Sequence, residues 1–424
     1  MNYRKCIDVI AAVPACLCAL LLPSSCSTEY EDKTVYDDTE QPFEATFHPD
    51  TVRAGKLRAA STRHLLDLNT PSTEIDNKPE YTFRTDELIS VHASDDGDSL
   101  YVTSWSAKNV YKISVEMFLP EINEYIPVAF LDSIPAFSRF GFRPSFLGNR
   151  SVCRIPNSDE FVSFKIQYVD EARMKLRLTG DDEHFKMLSR IDAQWKCYFS
   201  NYGWTPESPA TYSYREMSPI YAREWVVIVT NYAYMMTTPE YKHAMEHFSE
   251  VMGGELLDND NKPFTPEKYL SEMKRFKAPA TFKLGRCCDS YAGLGGSGIW
   301  TVAHWNFYGH YASFSGWDAI GHEFMHCMGY SHDGNMTYPK KPEGVTTDVG
   351  WTPFLWQLHL WLSHKGDLPY ADRNMLGFHK PENAKYRDDD IREDFQDDAK
   401  LQQKIESYYN SSRLVKYFNE HPLE

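Results

Sequence analysis

The sequence predicts an α+β fold in which a β-rich region, arranged as a β-sandwich, precedes a mixed region of helices and strands. Three observations lead to this prediction. Segments with alternating or β-branched apolar residues follow one another between residues 46 and 215. Helical apolar spacing begins after them and alternates with short strands. Finally, a histidine-rich segment at residues 321–339 has the spacing of a metal-binding helix.

Within the β-rich region, residues 46–215, turn residues separate the predicted strands. The turn SDDGD connects the first two of them, and no repeat period indicates a propeller or a solenoid. The predicted strands are ELISVHA, SLYVTSW, NVYKISVEMF, EFVSFKIQYV and RMKLRLTG.

The second region, residues 216–424, begins after a stretch rich in proline, serine and tyrosine. Its first segment, EWVVIVTNY, is continuously apolar and predicts a strand that is buried on both faces. A helix is predicted from an N-cap at Thr238 to a stop at Gly253, and TPEKYLSEMKRF predicts another helix. Strands at ATFKLG and GIWTVAHWNF follow, and a later helix is predicted from a cap at Thr352 to Gly366.

The N-terminus has the features of an export signal. Residues 1–26 contain a short basic start and an apolar stretch of about 14 residues, which is too short to span a bilayer. The ending LLPSSC resembles the lipobox of bacterial lipoproteins, which implies lipidation of Cys26; a plain secretory signal is the alternative. Residues 27–45 are acidic and predict a solvated tether. We therefore expect an exported protein, held at the bacterial outer membrane by its lipid alone and displayed at the cell surface.

The charge and the cysteines narrow the class of protein. A net charge of −16, with no cluster of lysine or arginine, argues against a nucleic-acid partner. Five cysteines follow Cys26, so at least one of them is unpaired, and Cys153 with Cys197 is a candidate disulfide. The segment LLDNDNKP at residues 256–263 favours a solvated turn over a calcium loop, because it lacks the glycine and distal glutamate of an EF-hand.

The segment GHEFMHCMGYSH predicts a metal site. His322 and His326 are four residues apart, so they lie on one face of a helix that a capping box at Ser315 and Asp318 would begin. Gly329 would end the helix and let His332 return to the same metal. Three histidines leave one position of a tetrahedral Zn²⁺ to water, which is typical of a catalytic zinc.

The motif H-E-x-x-H-x-x-G-x-x-H resembles the signature of the metzincin superfamily of zinc metallopeptidases. This resemblance implies a twisted mixed sheet, an active-site helix and a C-terminal helical subdomain. It also implies an endopeptidase that cleaves extracellular proteins or peptides, in which Glu323 activates a zinc-bound water. Metzincins have a methionine beneath the metal, and Met336 matches it, with Met375 as the alternative. The spacing of Met336 and Tyr338 resembles that of astacins and serralysins, which implies that Tyr338 stabilises the intermediate.

A non-catalytic reading is a surface-binding lipoprotein, similar to an adhesin, that carries a degenerate metallopeptidase domain. Degeneration would remove a ligand or the base first, whereas His322, Glu323, His326 and His332 are all present. The sequence therefore favours the enzyme. The substrate, the oligomeric state and the role of the N-terminal region, as pro-segment, spacer or binding module, stay open.

Overall fold

The computed structural model describes residues 50–52, 63–154, 158–205, 213–344, 348–387 and 390–423. The predicted signal peptide with Cys26 and the tether at residues 27–45 lie outside these residues. The described chain is an α+β protein, as the sequence predicts. None of its helices combines the length and the hydrophobicity needed to cross a membrane.

The described residues form sixteen strands. They are β1 (Asp50–Val52), β2 (Arg63–His64), β3 (Thr82–Arg84), β4 (Ile89–Ala93), β5 (Leu100–Ser104), β6 (Val110–Leu119), β7 (Glu124–Ile134), β8 (Ser138–Phe142), β9 (Arg150–Arg154), β10 (Phe161–Lys165), β11 (Leu176–Gly180), β12 (Trp195–Phe199), β13 (Tyr214–Arg215), β14 (Ala280–Cys287), β15 (Gly293–Gly296) and β16 (Ile299–Val302).

Eleven α-helices lie mostly in the second half of the described chain. They are α1 (Ser72–Ile75), α2 (Glu183–Ser189), α3 (Pro219–Met235), α4 (Pro239–Glu246), α5 (Phe248–Met252), α6 (Pro266–Lys277), α7 (Asn306–Gly309), α8 (Phe314–Cys327), α9 (Trp351–Lys365), α10 (Asp398–Ser411) and α11 (Arg413–Glu420). Short 3-10 helices are Pro79–Tyr81, Thr85–Glu87, Pro381–Tyr386 and Glu393–Phe395. We call α8 the motif helix.

Two four-stranded sheets of the N-terminal region share one apolar core. Their strand orders are β1-β7-β6-β11 and β2-β8-β5-β4. Val102 of β5 and Val115 of β6 are fully buried in the same cluster, although they belong to different sheets. Buried and less buried residues alternate along β5, as expected for a strand with one face on a core. Each segment that the sequence predicts as a strand in this region contains one.

A six-stranded mixed sheet carries the second core. Its order is β15-β16-β14-β12-β3, and β13 pairs with β14. Strands β12, β14 and β16 are parallel, whereas the edge strands β3 and β15 are antiparallel to their neighbours. Strands β3, β12 and β13 come from before residue 216 and β14–β16 from after it, so this sheet draws on both sides of the position where the sequence places a domain boundary.

The segment EWVVIVTNY is helical, and its prediction as a strand is wrong. It lies within α3, where every residue from Glu224 to Met235 is buried. A helix buried on all sides has no polar face, so its sequence lacks the period that distinguishes it from a buried strand. Pro219 occupies the first turn of α3. Pro219 therefore marks the start of a helix, and the continuously apolar residues after it led to the incorrect prediction of a strand.

Other helix limits are close to the predicted ones. Thr238 caps α4, accepting a hydrogen bond from Tyr241 N at 3.2 Å, but His247 interrupts the predicted helix with φ −120°. Gly253 ends α5 at φ +79°. The motif helix begins at Phe314 with Ser313 as its cap, so the predicted capping box at Ser315 is wrong.

The carboxylate that the capping box would have used has another partner. Thr352 Oγ1 donates to Asp318 Oδ1 at 2.5 Å, so Asp318 joins the motif helix to α9. Thr352 makes this contact from inside α9, which begins at Trp351 with Gly350 at its N-cap, so the predicted cap at Thr352 lies two residues too late. Gly366 ends α9 at φ +72°, as predicted.

Aromatic packing fixes the motif helix against the six-stranded sheet. The rings of Trp300 on β16 and Phe324 on the helix have centroids 5.0 Å apart. Trp300 Nε1 also donates to the carbonyl oxygen of Ile320 at 3.0 Å. The sheet thereby sets the rotation of the helix, and with it the direction in which the histidines point.

The cysteines of the second core carry no disulfide. Cys197, Cys287 and Cys288 are buried free thiols, and Cys327 is a partly buried one. Cys197 is a free thiol, so the structure does not support the candidate disulfide with Cys153, whose side chain lies outside the described part of the chain. These thiols behave as small apolar core residues.

Candidate metal centre

The three motif histidines converge on one point. Their Nε2 atoms form a triangle with sides of 3.0 Å (His322 to His326), 2.8 Å (His326 to His332) and 3.2 Å (His332 to His322). Ligand atoms of a tetrahedral ion with bonds of about 2.1 Å lie roughly 3.4 Å apart. The observed separations are close to that value, so one ion can bind all three nitrogens.

The hydrogen bonds of two of these histidines determine their tautomers. Nδ1 of His322 lies 3.1 Å from the carbonyl oxygen of Thr337, and Nδ1 of His326 lies 2.7 Å from that of Tyr330. A carbonyl oxygen only accepts, so each Nδ1 must carry the proton. In a neutral imidazole the other nitrogen then holds a lone pair, which is the form that binds a metal.

Two lone pairs 3.0 Å apart need a positive charge between them. Burial, followed by the charge of neighbouring His326, lowers the pKa of His322 to about 4, so a proton does not supply that charge at neutral pH. A bound cation does supply it. The three histidines therefore form a group that could hold a metal ion, and imidazole is a ligand for zinc and for several other transition metals.

The end of the motif helix has the geometry that Gly329 predicts. Gly329 adopts φ +81°, its N–H donates to His326 O at 3.0 Å, and Tyr330 N donates to Met325 O at 3.0 Å. These two bonds form a Schellman motif, which reverses the chain without a Cβ clash. The reversal brings His332 back over the helix.

His332 depends on a loop, and two asparagines that sequence reasoning missed hold that loop. Asn259 Oδ1 accepts from Ser331 N at 2.8 Å, and Asn259 Nδ2 donates to Gly329 O at 3.0 Å. Asn335 Oδ1 accepts from Leu257 N at 2.6 Å. The segment at residues 256–263 is thus a turn, as favoured, but it also supports the third ligand.

The loop that carries His332 also packs closely against the backbone of residues 257–258. A Cβ on Gly334 would collide with the carbonyl oxygens of Leu257 and Asp258, so only glycine fits there. Asn335 is buried, at 1% exposure, although asparagine is usually exposed. The pair Gly334–Asn335 suits a tight turn, but the segment that it contacts, Leu257–Asp258, lies far away in the chain, so no local pattern identified the contact.

Glu323 lies beside the ligands and under the edge strand β15. A Cβ on Gly293 would lie 2.7 Å from Glu323 Oε1, and one on Gly295 would lie 2.6 Å from Oε2. The glycines of β15 therefore allow the strand to approach the carboxyl group. This burial raises the pKa of Glu323 to about 8. Glu323 is not among the described candidate ligands, which are the three histidines.

Tyr338 lies on the exposed side of the histidines. Its ring centroid is 4.3 Å from that of His322 and 4.9 Å from that of His332. The side chain is 49% exposed, so its hydroxyl can meet a ligand that approaches the metal from solvent. The predicted metal ligands, Glu323 and Tyr338 are thus brought together.

Met336 and Met375 occupy different surroundings. Met336 is buried, at 1% exposure, and immediately precedes Thr337, whose carbonyl oxygen holds His322. Met375 is only partly buried and lies at the periphery of the second core. Met336 is therefore the methionine that the backbone connects to the metal site.

A cleft of about 610 Å³ gives access to this site. Residues 293–295 of β15 form one wall, and the exposed face of the motif helix from Ser315 to His326 forms the other. Tyr291, Trp305, His332 and Tyr338 also line the cleft. The cleft combines a metal site, a buried carboxyl group and an accessible backbone edge, as an active site would.

His304 and His310, two buried histidines that follow β16 in the chain, lie outside the described group of candidate metal ligands. His304 Nδ1 pairs with the hydroxyl of Tyr221 at 2.9 Å. His310 is fully buried beside Glu224, with Nε2 3.5 Å from Glu224 Oε2.

Comparison with known proteins gives no relative from which a function could be transferred. The chain matches no protein-family model, no curated protein and no solved structure.

Proposed function

We propose that this protein is a zinc-dependent endopeptidase of the metzincin type. The observation that carries the proposal is the triangle of three imidazole nitrogens with Glu323 beside it in an open cleft. His322, His326 and His332 would hold the ion. A bound Zn²⁺ would polarise the scissile carbonyl group and make a nearby water molecule more acidic.

Glu323 acts as the general base and then as the general acid. Its raised pKa, about 8 before an ion binds, shows that burial makes this carboxylate a stronger base than an exposed glutamate. Glu323 takes a proton from the attacking water molecule and delivers it to the nitrogen of the leaving amine. The close approach of the β15 glycines to the carboxyl group supports this role, because it limits the movement of the Glu323 side chain.

Tyr338 stabilises the oxyanion. Its ring lies against His322 and its side chain is half exposed, so its hydroxyl can donate to the oxygen that becomes negative in the transition state. Met336 supports the site from below as the metzincin methionine. The mixed sheet, the motif helix and the C-terminal helices support the assignment to a metzincin-like fold.

The substrate is an extended peptide that lies along β15. This strand pairs with β16 on one side and is the edge of the sheet. An edge strand offers free N–H and C=O groups to a peptide in β conformation. Because β15 also forms a wall of the cleft, a peptide bound there passes over the metal and Glu323.

The proposed location is the outer surface of a bacterium, through lipidation of Cys26. The prediction rests on the LLPSSC sequence and the acidic residues that follow it. Replacing Cys26 with alanine should remove the incorporated fatty-acid label and release the protein from the membrane fraction. Membrane retention of the unlabelled variant would contradict a lipid anchor.

Metal analysis and peptide cleavage test the activity. The purified wild type should contain one zinc per chain and cleave members of a peptide library, and Glu323→Ala should keep the zinc but lose activity by several orders of magnitude. Zinc binding without cleavage by the wild type would instead support a non-catalytic binding lipoprotein.

A further inference from the structure

The carboxyl group of Asp318, which has a hydrogen bond to only one of its oxygens among the described residues, lies in the cleft one helical turn before the first metal ligand. Asp318 lines the same cleft as His322 and Glu323, and residues four apart on a helix have Cβ atoms about 6 Å from each other. Neither the proposed metal binding nor the proposed proton transfer uses it. Because it lines the cleft and lies outside the group of candidate metal ligands, it can contact a bound substrate.

The hydrogen bonding of Asp318 leaves one oxygen for a ligand. Oδ1 accepts from Thr352 Oγ1, which fixes the orientation of the carboxyl group. For the part of the chain that the structure describes, no hydrogen bond or ion pair to Oδ2 is recorded. Asp318 is partly buried, and burial raises its pKa to about 6, opposed by the hydrogen bond from Thr352 but by no nearby cation. A buried carboxylate without a cationic partner is costly, and a ligand cation would remove that cost.

The surroundings of Asp318 suit a long cationic side chain. Tyr291, which is 45% exposed, and Trp305 line the cleft with it. Aromatic rings cover the apolar stem of a lysine or arginine, and they stack on a guanidinium group. Arg392 already lies 5.7 Å from the Trp305 ring, but it is paired with Asp394 at 3.5 Å.

The charge of the whole chain favours the same ligands. A net charge of −16 attracts cationic peptides at long range and repels acidic ones. Asp318 would add a specific contact at short range. Both effects select the same class of substrate.

From these observations we infer that Asp318 selects peptides with an arginine or lysine next to the scissile bond. The side chain enters the cleft between Tyr291 and Trp305 and pairs with Asp318 Oδ2. Arginine is preferred over lysine, because its planar guanidinium group can both stack on an aromatic ring and donate in pairs to a carboxylate. This inference rests on the proposed peptidase function for the bond that is cleaved, but not for the binding of the cation.

The binding test uses a peptide pair that differs only in charge. One acetylated peptide carries arginine and the other carries citrulline, its neutral isostere. Zinc-loaded Glu323→Ala, which holds peptide without cleaving it, should bind the arginine peptide about 10- to 100-fold more tightly. Adding Asp318→Asn, which keeps the oxygen that accepts from Thr352, should reduce this ratio to within about threefold.

Two controls test whether a change in the binding ratio is specific to Asp318. Asp132→Asn removes the same charge from an exposed position on β7, and it should leave the ratio unchanged. Thermal unfolding should show that Asp318→Asn is folded. Equal binding of the two peptides, or an unchanged ratio in Asp318→Asn, would overturn the inference, as would the absence of binding by either peptide.

The cleavage arm separates this inference from the proposed function. The wild type should hydrolyse the arginine peptide with a higher kcat/KM than the citrulline peptide, and Asp318→Asn should hydrolyse both at the lower value. If the binding ratio follows Asp318 but neither peptide is cleaved by the wild type, the peptidase proposal fails and the cation site stands. If both peptides are cleaved with equal kcat/KM, the peptidase proposal stands and the cation site fails.

Discussion

Two buried glutamates have similarly raised pKa values but different surroundings. Burial raises the pKa of Glu323 to about 8, and it raises the pKa of Glu224 to about 8 as well. Glu323 lines a cleft beside three convergent histidines. Glu224 is fully buried on α3, where it accepts a hydrogen bond from Tyr311 at 3.0 Å and lies beside His310.

The difference shows what identifies a functional site in this molecule. A perturbed pKa marks burial, which core groups and catalytic groups share. Of the two glutamates, only Glu323 can be reached by a ligand, and only Glu323 lies beside the three convergent histidines. His310, the histidine neighbour of Glu224, is itself fully buried, and burial lowers its pKa well below the usual value, so this neighbour adds no group that a ligand can reach. The predictions below test this comparison.

The largest effect should come from the same substitution at both glutamates. Glu323→Gln removes the base and should lower kcat by at least about a thousandfold. Glu224→Gln should leave kcat within about threefold, because Glu224 has no access to the cleft. Steady-state peptide hydrolysis at equal zinc content measures both. Comparable losses in the two variants would mean that the buried cluster takes part in the reaction.

Loss of a ligand should separate the metal-dependent part of stability from the rest. His326→Ala should release zinc and lower the free energy of unfolding by about 4 kcal/mol at a zinc concentration about a thousand times the Kd. A chelator should destabilise the wild type by a similar amount and have no further effect on the variant. Denaturant unfolding with and without chelator, together with metal analysis, checks this. Full zinc occupancy in His326→Ala would show that the ligands are wrongly assigned.

Tyr338 should contribute to the transition state and little to binding. Tyr338→Phe removes only the hydroxyl group, and a hydrogen bond to a developing oxyanion contributes about 2–4 kcal/mol. We therefore expect a lower kcat with little change in KM and in zinc content. A rise in KM at constant kcat would instead place the hydroxyl group in ground-state binding.

The smallest effect concerns stability against pH at Glu224. Burial raises the pKa of Glu224 to about 8 in the folded state, whereas the unfolded state loses this proton near the usual glutamate pKa of 4.5. The folded state thus binds more protons between these values, so this group lowers stability as pH rises through that range. From pH 6 to pH 8 the loss is about 2 kcal/mol.

Glu224→Gln should remove this component. It keeps an oxygen that accepts from Tyr311 and cannot ionise, so its stability should fall less than that of the wild type between pH 6 and pH 8. Glu343→Gln, at an exposed position, serves as the matched control and should follow the wild type. Parallel curves for all three proteins in urea unfolding would mean that Glu224 is ionised in the folded state.

Local rules predicted the helical half of the metal site. The spacing of His322 and His326 sets them on one face of a helix, and Gly329 supplies the positive φ that ends it. The same kind of rule failed for α3, because a helix without a polar face carries no period. It also failed at Ser315, where two serines competed for the cap and Asp318 bonded to a distant threonine.

The sequence by itself determined the α+β class, most strands of the N-terminal sheets, and the residue types and spacing of the metal site, because these depend on contacts within a few residues. The tertiary structure decided what lies around them. It brought Asn259 and Asn335 to the loop of His332, laid the glycines of β15 over Glu323, and opened the cleft onto Asp318. These contacts join segments that are tens of residues apart in the chain. A local sequence pattern does not indicate which distant segment will pack against it.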